Sequence, residues 1–400
     1  MSTPRNEFLK LKQFDTIVIG GGIAGAATCF YLSQSGAHTA LLDMYDLNTG
    51  ASGRNAGSLH GQIQYEPFEQ LGADWARTFL PALEFLADSI SLWKGLPELL
   101  NSDLEISSNG GIMVAEKEED LRQLQVKVDL ENSIGIPSIM LSQSELAERA
   151  PYVSQQMVGA AFCPIEGKAN PLLATPAFAK KARELGATIH TGVEVLKIHK
   201  MKDSFLLTTT SGDYRCRKIV LTSNAGLSRL VGPLGLDAHV VNSPVQVSVT
   251  EQIQHYINYL FYFTSEKLTL KQAKSGSILI GGGWPATTHS DGSVSVNPDS
   301  LRSNLRVSLK VVPGLSQVKV IRTWVGMGSQ TPDQRPVIDS LPGFPGAYVG
   351  IYPSLGFSAG PLLGKTLAEL ALYDDSERDL SAFRFDRFTN PASALVGCGN

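Results

Sequence analysis

The 400-residue chain is short of cysteine, of basic clusters and of long apolar runs. Its four cysteines, Cys29, Cys163, Cys216 and Cys398, include no C-x-x-C pair. That excludes a zinc ribbon, leaves no metal ligands to name, and cannot frame a disulfide scaffold in a chain this long. Lys and Arg number 34 against 38 Asp and Glu, a net charge of −4 with no basic tail. Nucleic acid is therefore not an expected partner. Residues 16–32 are uncharged with basic residues upstream, as in a signal peptide, but three consecutive glycines interrupt the apolar part. A strand, a turn and a helix account for this stretch better. The aromatic cluster YINYLFYF (256–263) is too short to span a bilayer and reads as strand core. No transmembrane segment is expected, and the reading places the protein in the cytoplasm or peripherally at the inner membrane.

What the chain does have is glycine at chosen spacings. A β-rich run, Phe14 to Ile19, leads into Gly20, Gly22 and Gly25, and a helix is expected over Ile23 to Ser35. A second strand closes at Asp43, 18 residues past Gly25. Glycine at 20 permits the tight turn, at 22 the approach of backbone to a pyrophosphate, and at 25 close helix–strand packing. The amides of Ile23 and Ala24 open the helix, where free N–H groups favour phosphate. Asp43 is placed to accept ribose hydroxyls, with Met44 beside it. This predicts dinucleotide binding, and leaves NAD or FAD to be decided.

Two further stretches bear on that choice. Ser52, Gly53, Arg54, Asn55, Ala56 and Gly57, in TGASGRNAGSLHGQ, form a polar loop suited to a second patch of amides near phosphates and ring. Near the other end, the strand AYVGIY leads into a helix opened by Gly356, Phe357 and Ser358. That helix end suits the pyrimidine edge of a flavin, whose reduced form carries negative charge. Between them, residues 186–226 alternate short strands and turns, and Val195 is the expected adenine contact. Cofactor elements thus spread over 14–62, 186–226 and 322–372. A nicotinamide dehydrogenase usually keeps its site in one βαβ domain, so the scatter favours FAD.

The motifs IVIGGGIAGAATCFYLSQSG, GKANPLLATPAFAKKARELGATIHTGVEVLKI, KIVLTSNAG, WVGMGSQTPDQRPVID and GIYPSLGFSAGPLLG resemble the FAD-dependent D-amino-acid oxidase superfamily, with glycine and sarcosine oxidases, over nearly the whole length. Within it, SGRNAGSLH, LTLKQAKSGSILIGGGWPA and YPSLGFSAGPLLG look like the β-subunits of heteromeric opine oxidase, D-hydroxyproline dehydrogenase and hydrogen cyanide synthase. The resemblance implies an α/β chain, α+β overall. A Rossmann-like FAD-binding domain with a parallel sheet takes residues 1–84, 156–231 and 323–400. An inserted substrate domain with a mostly antiparallel sheet takes 85–155 and 232–322. The charged stretch EKEEDLRQLQVKVDLENSIG fits an amphipathic helix, and SELAERAPYV a helix capped by its first serine.

The implied reaction is oxidation of a C–N bond of an amino acid or a secondary-amine acid of the opine, hydroxyproline or sarcosine type. Hydride passes to flavin N5, and the imine hydrolyses to a 2-oxo acid and an amine. A hetero-oligomer with a second redox subunit (FAD/FMN or iron–sulfur) is implied as partner. The alternatives are a stand-alone oxidase using O2 and a non-catalytic interaction subunit. Some relatives attach flavin through a histidine, where this chain has Asn55, so non-covalent FAD is expected. The arginine that glycine-oxidase-like enzymes place after W-x-G is replaced by Gly328, and a small apolar residue by Asn224. The candidates for substrate contact are His60, Gln62, Lys271, Trp284, Trp324 and Tyr352, with Arg322 as a further carboxylate partner. His60 is read as a proton acceptor or a structural histidine, Lys271 and Arg322 as carboxylate partners or surface groups, and Trp284 and Tyr352 as flavin walls or core aromatics.

Overall fold

The computed structural model describes residues 11–388. Cys398 lies outside them. The β-rich N-terminus forms the strand Lys12–Ile19, which pairs in parallel with Thr39–Leu42 on one side and Gly212–Leu221 on the other. Thr188–His190 and Ala347–Ile351 extend the parallel array, and Val337–Ser340 closes one edge antiparallel. A hairpin, Val195–Lys200 and Phe205–Thr209, hangs from Gly212–Leu221. Successive residues of the central strands enter different cores. Val18, Leu41 and Val220 pack under helices Ile23–Gln34 and Gly356–Tyr373, while Ile17, Ile19, Ile219 and Leu221 face the opposite layer. A parallel sheet buried on both faces explains why these runs are apolar without alternation.

A second eight-stranded sheet runs in the order Val320–Gln330, Val241–Gln252, Ser277–Gly281, Thr269–Gln272, Leu260–Phe263, Gly111–Ala115, Gly159–Cys163, Ile139–Ser142. Every pairing is antiparallel except Leu260–Phe263 with Gly111–Ala115. Its far face carries a third core, closed by helix Pro298–Val311. The mixed α/β class, with one parallel and one mostly antiparallel sheet, is as expected. Two strands sit elsewhere than their segments suggested. Gly159–Cys163 and Val320–Gln330 pair in the second sheet, although the boundaries at 156 and 323 put them largely with the FAD-binding part. The boundary at 84 falls inside one long helix, Tyr65–Leu100, which bends at Gly72.

The charged helix is Glu118–Ser133, and it is not polar on all sides. Lys127 and Glu131 are fully buried and pair at 2.7 Å. The next helix, Gln143–Arg149, is capped by Ser142, not Ser144, through a reciprocal box with Glu145. The earlier serine prevails because only it lies three residues before a glutamate. Among the described residues no helix is long and apolar enough to cross a membrane.

The Lys127–Glu131 pair yields a stability prediction. Lys127→Met keeps the volume but strands a buried carboxylate, so urea denaturation should show a loss of about 3–5 kcal/mol. A loss below about 1 kcal/mol would show that Glu131 finds another partner.

Candidate active site

The turn after the first strand is shaped by backbone approaching backbone. Gly20 has φ +113°, where a side chain is strained, and a Cβ there would stand 2.9 Å from Ser223 N. A Cβ on Gly25 would stand 1.9 Å from Gly20 O and 2.6 Å from Thr222 Oγ1. The helix that follows begins at Gly22 with no side-chain cap and no acidic residue in its first turn. Its Ile23 N–H donates to Ser52 Oγ at 3.0 Å, which ties the second loop to the first. Asp43 accepts from Gly21 N–H and, at 2.7 Å, from Tyr45 N–H. Burial raises the Asp43 carboxyl above its ordinary value, against the lowering by those two amides. Beside the turn, Ser223 Oγ and Asn224 Oδ1 are buried with no hydrogen-bond partner among the described residues. Asn224 takes a left-handed backbone, φ +41°, which asparagine tolerates better than a small apolar residue. An uncapped helix start with orphaned polar atoms around it fits a phosphate-bearing dinucleotide.

The other cofactor candidates divide. Asn55 braces its own loop, donating to Ser52 O at 2.6 Å and accepting from Gly57 N–H at 2.7 Å. Arg54 donates to Val325 O at 3.3 Å, and its carbonyl accepts from Trp324 Nε1 at 2.8 Å. Gly53, Arg54, Asn55 and Ala56 line a cavity of about 720 Å³. Ala24 sits in the first turn of the uncapped helix. Val195 opens its strand close to Asp43, since Val193 N–H donates to Asp43 O at 2.8 Å. Met44 is exposed, with Arg229 at its sulfur. At the second helix start Ser358 Oγ donates to Ser58 O at 3.1 Å and accepts from His60 N–H at 2.9 Å, while Phe357 packs on Trp93.

Lys271, Arg322 and Trp324 also line the cavity, with Lys168, which sequence reasoning missed. Strand register explains this. Arg322 pairs with Val249, Val249 with Leu279, and Leu279 with Lys271, so the four form one row across four strands. Lys271 is 1 % exposed and donates to Ser58 Oγ at 2.6 Å. Burial, then the neighbouring Lys168 ammonium, brings the Lys271 pKa down to about 7.

Four candidates, Tyr352, Trp284, Gln62 and His60, do not line the cavity. Tyr352 is a core aromatic whose hydroxyl donates to Ala82 O at 2.7 Å. Trp284 packs on the third core and donates to Lys267 O at 2.7 Å. Gln62 is 3 % exposed with its amide engaged at both ends, by Lys127 at 2.8 Å and by Glu166 at 2.7 Å. Composition favoured aromatics and amides here; the direction each faces depends on packing that composition does not carry. His60 joins the same buried network through Tyr262, at 2.8 Å.

A family model for FAD-dependent oxidoreductases, DAO, matches residues 15–370. The chain belongs to the DAO family of FAD-dependent oxidoreductases. Its dinucleotide is FAD, which the uncapped helix, Asp43 and the 52–57 loop fit. The chain is 26% identical over 395 residues to a glycine oxidase of Bacillus subtilis (strain 168), covering 94% of this chain and 98% of that one. It is 27% identical over 383 residues to the B subunit of an opine oxidase of Rhizobium meliloti, with coverages of 94% and 98%. The L-proline dehydrogenase structure from P. horikoshii superposes with a TM-score of 0.85 at 22% identity, covering 95% and 98%, and shows the same fold.

The glycine turn yields a second prediction. Gly25→Ala drives a methyl into the Gly20 carbonyl, which gives way only by opening the turn. FAD retention, read from the ratio of visible to protein absorbance after dialysis, should fall by roughly tenfold. Full retention would show that the turn relaxes without loss of the phosphate site.

Proposed function

We propose that this protein oxidises the C–N bond of a secondary-amine acid with two anionic groups, of the opine type, using non-covalently bound FAD. The observation that carries this reading is the cross-strand row in the cavity wall. Lys271 and Arg322 stand at its ends, with Val249 and Leu279 between them. Three strand spacings put their Cα atoms about 14 Å apart. Two cations flanking aliphatic side chains suit a molecule with a carboxylate toward each end and an apolar middle. The relatives named as the opine oxidase B subunit and the sarcosine oxidase β-subunit support the substrate class. They also support a second redox subunit as partner, whereas those named glycine oxidase support a stand-alone oxidase using O2. Buried, unpaired Cys29, Cys163 and Cys216 suit the cytoplasm.

The flavin supplies the two-electron acceptor. The chain supplies recognition and orientation. Lys271 has no carboxylate partner in the cavity wall, and burial disfavours its charge. An arriving carboxylate restores the ammonium, so binding takes up a proton when the pH is above about 7. Arg322, which lies 6.0 Å from the Trp324 ring, stays charged and holds the remote group. The imine product then hydrolyses to a 2-oxo acid and an amine. Asn55 offers no nucleophile for covalent attachment, so acid precipitation should release the flavin into the supernatant.

The deciding experiment mixes the holoprotein anaerobically with octopine, nopaline, hydroxyproline, D-proline, sarcosine, glycine and D-alanine. Visible absorbance should be lost fastest with the two dicarboxylic amines. Equal loss with pyrrolidine, which lacks a carboxylate, or no loss with any amine, overturns the reading. Lys271→Met should weaken substrate binding by roughly 10- to 100-fold. The wild type should lose affinity as pH rises above about 7, and the variant should not.

A further inference from the structure

His60, Tyr262 and Glu166 form a continuous hydrogen-bonded chain. His60 Nδ1 lies 2.8 Å from Tyr262 Oη, and the Tyr262 hydroxyl donates to Glu166 Oε1 at 2.9 Å. Glu166 has no accessible surface, whereas His60 and Tyr262 keep some. The same Oε1 accepts from Gly61 N–H at 2.7 Å and Gln62 N–H at 3.1 Å, and Oε2 from Gln62 Nε2 at 2.7 Å. Four donors and no other acceptor describe an ionised carboxylate. The Tyr262 proton is then committed to Glu166, so its oxygen can only accept. His60 must carry its hydrogen on Nδ1, which leaves Nε2 unprotonated. Among the described residues no protein group meets Nε2.

We propose that these three residues are a proton relay, in which a proton taken up at His60 Nε2 is stored on Glu166 while the imidazole stays neutral. Every proton in the sequence has a named origin and destination. An incoming proton forms the Nε2–H bond, the Nδ1–H bond breaks toward Tyr262 Oη, and the tyrosine O–H bond breaks toward Glu166. Afterwards His60 carries its hydrogen on Nε2, Tyr262 is again a phenol donating to Nδ1, and Glu166 is a neutral acid. No group passes through a stable cation or phenolate.

The surroundings suit this division of labour. Burial, then the Lys271 ammonium, hold the His60 imidazolium down at about 3, so the ring cannot store charge. Burial, then Glu166, push the Tyr262 phenol well above its ordinary value. Burial raises the Glu166 carboxyl to about 7, against the donors from Gly61, Gln62 and Tyr262 and the charge of Lys127. The charged and titratable groups packed around Glu166 are Tyr262, Lys127, Glu131 and Cys163. Lys127 pairs with Glu131 at 2.7 Å and reaches Glu166 only through Gln62. Burial keeps the Cys163 thiol protonated. Glu166 therefore lacks a cation of its own, and its charge state is free to change near neutrality. Tyr262 and Glu166 are positioning residues in this scheme, and His60 Nε2 is the point of proton entry.

The test reads the His60 tautomer by nitrogen NMR in holoprotein labelled with ¹⁵N-histidine, the signals being assigned by their loss in His60→Asn. Between about pH 9 and about pH 6 the hydrogen should move from Nδ1 to Nε2, with the ring neutral throughout. An Nε2–H tautomer at the alkaline end, or an imidazolium in that range, overturns the proposal. Tyr262→Phe keeps the packing and cuts the chain, so its tautomer should no longer follow pH. The same variant, with FAD retained, should lower the rate of anaerobic bleaching by the best amine roughly 10- to 100-fold. A wild-type rate overturns the relay's part in amine oxidation. The use of the stored proton in amine oxidation rests on the function proposed above, but the tautomer does not. If no amine bleaches the wild type, that function fails and the NMR result still decides the relay.

Discussion

A carboxylate with no contact to water must be surrounded by donors, and Glu166 shows what that demands of a fold. Its four donors come from two backbone amides at 61 and 62, the Gln62 side chain and a tyrosine of the second sheet. Gly111 leaves room for it: a Cβ there would stand 1.7 Å from Glu166 Oε2. The neighbouring Gly167–Lys168 strand pairs with Ser58–Leu59, so the same turn fixes the segment that carries His60. Ser58 in turn receives Lys271 and Ser358. The flavin-side loop, the C-terminal helix start and the cavity wall are thus referred to one buried charge. Leaving any of its donors out would cost the desolvation that the others no longer offset.

The cavity follows the opposite rule. Its lysines, half-buried Lys168 and buried Lys271, have no carboxylate partner among the described residues, and both are held below their ordinary pKa, first by burial. Lys274, at the rim, is by contrast paired with Asp103 at 2.7 Å. Charge is satisfied at the exposed rim and left unpaired in the wall where the proposed substrate would bind. This is the usual relation between perturbed groups and functional sites.

The strand–turn–helix–strand unit proposed for the phosphates was readable from sequence because its geometry is local. Gly20, Gly22, Gly25 and Asp43 fall within one strand–turn–helix–strand unit, and their spacing carries the geometry. Lys271 was named from sequence only as a carboxylate partner or a surface group; its burial in the cavity wall comes from strand register. Glu166, Tyr262 and Lys127 were not, because Glu166 meets Tyr262 across 96 residues and Gln62 across 104, Lys127 meets Gln62 across 65, and nothing near Glu166 in sequence marks it as buried. Lys127 and Glu131 look like any solvated pair on a charged helix. Tyr352 and Trp284 pack against core residues, the second of the two readings their sequence context allowed, because an aromatic beside a glycine motif is equally at home in a core. The serine cap moved by two residues because a capping box outranks adjacency to the apolar run.

Gly328 remains the departure with the largest consequence. Gly328 and Arg322 belong to the same strand, and an even spacing of six puts them on the same face, about 20 Å apart. A cation at 322 is therefore not a small shift of an anchor from 328. At that separation a short amino acid cannot present its carboxylate to 322 and keep its reacting carbon where an anchor at 328 would have held it. Either the carboxylate next to the reacting carbon is taken by another group, or the substrate is long. Lys271, in register with Arg322 and bonded to the Ser58 segment, answers the first requirement. The aliphatic interval between them answers the second. On the function proposed above, glycine at 328 and the row of two cations belong together, two separated clamps suiting a longer amine acid where one clamp would suit a short one.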